Sequence, residues 1–98
     1  MKIAIASTGE SEDSEVSPVS GRAPYYLIFD DGKLVKTIKN PFRIGGGAGF
    51  GVAQMLADEG VDLVISGSFG GNMRSTLESK NIKYKEMSGS VKEALENA

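Results

Sequence analysis

The sequence contains no cysteine and no histidine. Disulfides, thiolate chemistry, ordinary zinc sites and any Ser-His or Cys-His catalytic pair are therefore excluded. The strongest side-chain ligands for transition metals and iron–sulfur clusters are missing as well. No apolar run approaches the roughly 20 residues that a membrane-spanning helix needs. The apolar start, Met1-Lys2-Ile3-Ala4-Ile5-Ala6, is far too short for a secretory signal. No membrane association and a cytoplasmic location are expected. An excess of either charge is lacking too: 11 Lys and Arg face 13 Asp and Glu, a net charge of −2. A general attraction to nucleic acid is not expected.

What the chain has is glycine, 13 in 98 residues, gathered mainly where the pattern changes from strand to helix. Gly45-Gly46-Gly47-Ala48-Gly49-Phe50-Gly51 precedes an expected helix from Val52 to about Glu59, where Val52, Met55 and Leu56 form a buried stripe. Gly67-Ser68-Phe69-Gly70-Gly71-Asn72 precedes a second, from about Met73 to Lys80. Neither stretch fits a dinucleotide fingerprint or a Walker A loop. Each remains a general anion signal, because glycine lets backbone N–H groups at a helix start approach a ligand.

The other elements follow from period and punctuation. Ile3 and Ile5 alternate with Ala4 and Ala6, so both faces are apolar and the strand belongs inside a sheet. Thr8 to Ala23 is a long loop. Its Glu10–Glu15 part carries four carboxylates without calcium-loop spacing and no apolar anchor, so it is expected to be the least ordered internal stretch. Tyr25–Asp30 and Lys33–Lys39 flank the turn signal Asp31-Gly32, and lysines mark the second as an edge strand. Val61–Ser66 is a second central strand and Ile82–Glu86 a short edge strand. Ser90-Val91-Lys92-Glu93 is a capping box opening a last helix. The order is βββαβαβα in one domain, 1–98, with parallel strands and helical crossovers in its second half. The starts of the two main helices should then meet the carboxyl ends of the strands ending at Ser7 and Ser66.

Several ordered segments resemble the dinitrogenase iron–molybdenum cofactor biosynthesis domain family, in its stand-alone form. They are Met1–Ala6, Val16-Ser17-Pro18, Gly21–Ile28, Asn40-Pro41, Gly46–Gly49, Ala57–Gly67 and Gly89–Ala94. The resemblance implies a ribonuclease H-like α/β fold. Its five-stranded mixed sheet has the order 3-2-1-4-5, an antiparallel second strand and helices on both faces. It implies a non-enzymatic carrier for the iron–molybdenum cofactor or a related iron–sulfur cluster, with cofactor-assembly proteins as partners. The binding rim carried over is Ser7, Arg22, Gly46, Gly47, Gly49, Gly67 and Ser68. Nitrogenase-associated members often have histidine or cysteine near the stretch matching Val16–Arg22; this chain has neither. A protein-interaction or regulatory module that has lost cofactor binding is the alternative. A metal-dependent nuclease is rejected: the first strand has no carboxylate, and Asp62 starts its strand at the far end from the rim.

Overall fold

Strand β1 (Lys2–Ser7) forms the middle of a five-stranded sheet, ordered β3-β2-β1-β4-β5. The computed structural model describes residues 1–42 and 48–98. β2 (Tyr25–Asp30) runs antiparallel to β1, and β3 (Lys33–Lys39) antiparallel to β2. β4 (Leu63–Ser66) and β5 (Lys83–Glu86) continue the other side in parallel register, Ile3 opposite Leu63 and Leu63 opposite Lys83. The fold expected from the sequence is the fold observed.

The alternation in β1 sorts the core. Ala4 and Ala6 face a cluster with Val52, Ala53, Leu56, Met73 and Leu77, contributed by α1 (Ala48–Asp58) and α2 (Gly71–Ser79). The small alanines let those helices lie close to the sheet. Ile5 faces the opposite cluster, where Leu27, Phe29 and Ile65 meet Val91 and Ala94 of α3 (Val91–Glu96).

Both main helices end the same way. Val61 N–H returns to Leu56 C=O and Gly60 N–H to Ala57 C=O; Ile82 and Asn81 repeat this on Leu77 and Glu78. This is the Schellman closure, with Gly60 (φ +75°) and Asn81 (φ +59°) in the left-handed region it requires. Each closure turns the chain straight into the next strand.

Three expectations are corrected. α1 begins at Ala48, four residues before Val52, so Gly49 and Gly51 lie within its first turns rather than in a loop. α2 begins at Gly71 rather than Met73. The acidic stretch is not unanchored: Val91 N–H donates to Ser14 C=O (2.8 Å) and Lys92 N–H to Glu12 C=O (2.9 Å). Backbone carbonyls of the loop thus satisfy the start of α3, an attachment that needs no apolar side chain.

Candidate functional site

The loop after β1 folds back over the carboxyl ends of β1 and β4. Ser17 N–H donates to Ala6 C=O at 2.8 Å, and Gly67 N–H donates to Ser17 C=O at 2.8 Å. Ser66 Oγ donates to Ser17 C=O (3.2 Å) and Ser68 Oγ to Pro18 C=O (2.6 Å). A Cβ on Gly67 would lie 2.7 Å from Pro18 Cα, so this glycine is needed for the loop to approach.

The covering loop moves the open space outward, to the helix starts. A cleft of about 270 Å³ lies between Val19–Arg22 on one side and Ala48, Gly49 and Gly70–Met73 on the other. The only charged side chain among these lining residues is that of Arg22. α2 opens at Gly70, which has no side-chain cap, and its first intrahelical bond is Arg74 N–H to Gly70 C=O, 3.0 Å. The N–H groups of Gly71, Asn72 and Met73 consequently have no acceptor within the helix. A Cβ on Gly70 or Gly71 would meet nothing within 4 Å. Ser20, also lining the cleft, is fully buried, and its Oγ has no hydrogen-bond partner among the described residues. A buried hydroxyl left unpaired costs about 1–3 kcal/mol.

The rim expected from the sequence is thus partly reassembled. Arg22 and Gly49 line the cleft. Ser7 does not: it is fully buried, with its Oγ donating to Gly9 C=O and accepting from Gly9 N–H. Gly67 is spent on packing against Pro18, and the Ser68 hydroxyl on the Pro18 carbonyl. Gly46 and Gly47, with Gly45, lie outside the described residues. Val19, Ser20, Gly21, Ala48 and Gly70–Met73 complete the lining. The glycine pair was visible as a helix start, but nothing in the sequence marks Ser20 as the serine left without a partner.

A larger groove of about 840 Å³ lies at the opposite ends of the strands, among Ile3, Leu63, Ile82, Tyr84, Lys83 and Lys85. It has no helix start to supply donors, and the one acidic side chain in its lining, Glu78, already accepts from Tyr84 Oη. Asp62, at that same end, binds Lys2 N–H at 2.8 Å. Among the described residues no group of three or more acidic, cysteine or histidine side chains could hold a metal ion. No helix among them is long and apolar enough to cross a membrane.

The sequence model of the dinitrogenase iron-molybdenum cofactor family matches residues 1–98. No curated protein sequence matches the chain. Among solved structures, the apo form of the orange protein from Desulfovibrio gigas superposes with a TM-score of 0.90 at 27% identity, over 98% of this chain and 84% of that one. A NifB-like protein of the DUF35 family from Thermotoga gives 0.83 at 32% identity, over 97% and 84%.

Proposed function

The chain belongs to the dinitrogenase iron-molybdenum cofactor family, and from that premise we propose that it is a non-enzymatic carrier holding an anionic cofactor or metallocluster in the cleft at the helix starts. The observation that carries this reading is the meeting of the uncapped α2 start with the unpaired Ser20 hydroxyl and the Arg22 side chain. Helix starts favour negative charge, and an unpaired buried hydroxyl gains a partner when an acceptor arrives. The relation to a protein described in an apo form agrees with a bound group.

The residues present test what kind of group fits. With no cysteine or histidine in the chain, a cluster that needs protein ligands on its metals does not fit. An anion whose metals are already fully coordinated does, held from outside by N–H and O–H donors. Gly70 and Gly71 leave room for such a group, since a Cβ on either would meet nothing within 4 Å among the described residues. Ser20, Gly71 and Asn72 would donate, and Arg22 would supply charge. Val19 at the cleft and Phe50 just beyond Gly49 are each about half exposed, 47% and 52%. They offer an apolar margin on which an assembly protein could dock during transfer.

Titration with tetrathiomolybdate, the simplest sulfur-bound molybdenum anion, tests the reading. Wild type should bind, and binding should weaken as salt rises. Gly70→Asp should abolish it, because the new carboxylate would occupy the same N–H groups. No saturable binding to wild type, or equal binding by both proteins, would sink the proposal.

A further inference from the structure

Two side chains that do not line the cleft hold the loop that does. Tyr26, in β2, is fully buried, and its hydroxyl donates to Ser20 C=O at 2.5 Å. Burial pushes its pKa up, so it remains a donor throughout the neutral range. Asn40, just past β3 and also buried, donates through Nδ2 to Gly21 C=O (3.1 Å) and Ala23 C=O (2.9 Å). Its Oδ1 accepts from Phe42 N–H at 2.9 Å. Ala23 N–H closes the turn on Ser20 C=O at 3.3 Å. The carbonyls of Ser20, Gly21 and Ala23 are thus all fixed from the core side.

A phenylalanine at position 26 would fill the core as well as tyrosine does. The hydroxyl adds one thing, a bond to the residue whose own hydroxyl is unpaired. The same turn presents Gly21 to α1, where its Cβ direction meets Gly49 N and Ala48 Cβ at ordinary contact distances of 3.5 and 3.6 Å. The spacing between the two walls of the cleft therefore depends on where the turn is held.

We propose that Tyr26 and Asn40 are positioning residues, which set the affinity of the cleft for its anion without touching it by fixing the Ser20–Ala23 turn. The inference rests on the reading of the cleft as an anion site. Donor geometry matters on a scale of about 0.5 Å; loss of the Tyr26 hydroxyl frees the Ser20 carbonyl, and loss of the Asn40 amide frees those of Gly21 and Ala23.

The test is a double-mutant cycle on tetrathiomolybdate binding, with unfolding measured on every variant. Tyr26→Phe and Ser20→Ala should each weaken binding about fivefold, the equivalent of one ordinary hydrogen bond. The double variant should bind no worse than about twofold below Ser20→Ala alone, since Tyr26 acts through Ser20. Asn40→Ser is the second variant and should weaken binding while the chain stays folded. Wild-type affinity in folded Tyr26→Phe and Asn40→Ser would overturn the inference. So would a double variant that loses the full product of the single losses. Failure of wild type to bind would instead overturn the reading of the cleft, and is seen before any variant is made.

Discussion

A Cβ built on Gly49 lies 3.0 Å from the Met73 backbone nitrogen. α1 and α2 therefore touch at their starts, so closely that a side chain at position 49 would push Met73 back by a few tenths of an ångström. The contact brings two helix starts to one cleft, and it makes the glycines of this region unequal.

Alanine at four of them should rank them. Gly67→Ala puts a methyl 2.7 Å from Pro18 Cα and Gly49→Ala one 3.0 Å from Met73 N. Gly67→Ala should destabilise by about 1–3 kcal/mol, because backbone must move, and Gly49→Ala by less, since Met73 need give only a few tenths of an ångström and alanine favours the helix. Gly70→Ala meets nothing within 4 Å but replaces a tolerated cap residue with a poor one. Gly71→Ala, equally open and already helical, should stabilise by about 0.4–1 kcal/mol. Urea midpoints at constant m-value decide the order.

Ser20→Ala should separate stability from function. Removing a buried unpaired hydroxyl should leave the free protein as stable as before or more so, by up to about 1–3 kcal/mol. The same change should weaken anion binding. A loss of stability in Ser20→Ala would mean that the hydroxyl has a partner, and the argument for an acceptor arriving there would fall.

Gly70→Asp gives the converse pair of effects. Aspartate at this N-cap position should stabilise α2 by a few tenths of a kcal/mol relative to glycine. Thermal unfolding should therefore rise slightly while titration with tetrathiomolybdate goes flat. A variant that is both less stable and non-binding would show only damage.

The start of α3 should respond to acid. Ser90 N–H and Glu93 Oε1 bond at 3.1 Å, as do Glu93 N–H and Ser90 Oγ. Donation from the Ser90 backbone, then from its side chain, holds the Glu93 carboxyl below its usual range. A depressed folded pKa means the contribution is complete above the unfolded pKa and is lost as pH falls through the folded one. Amide exchange at Val91 and Lys92, whose N–H groups bind Ser14 and Glu12, should speed up below the ordinary carboxylate range. In Glu93→Gln this pH dependence should largely vanish.

The sheet was legible because its evidence is local. Two-sided apolarity in Ile3–Ala6, the Asp31-Gly32 turn and the glycine after α1 each act on their own neighbours. The capping box at Ser90 was equally plain. The site was half legible: glycine before a helix shows where donors can be exposed, but not which glycine serves a ligand and which serves packing. Gly49 and Gly67 pack against Met73 and Pro18, residues 24 and 49 positions away in the chain. The partners of the Ser7, Ser20 and Ser68 hydroxyls likewise depend on how the loop is folded over the sheet. The helix start at Ala48 was missed because glycine propensity argues against a helix there, whereas packing on α2 favours one.

The loop over the ends of β1 and β4 has a consequence for how such a chain can diversify. Ser17 is fastened through its backbone N–H and C=O, and Pro18 through its carbonyl. Most of these bonds would survive a change of side chain. Val19, next along and 47% exposed at the cleft's edge, belongs to neither cluster of the core. A change of one or two letters in this loop can therefore alter the lining of the cleft, adding or removing a side chain able to ligate, without renegotiating the sheet beneath. Side chains at the edge of the cleft can thus vary while the backbone bonds that hold the loop to the sheet stay in place.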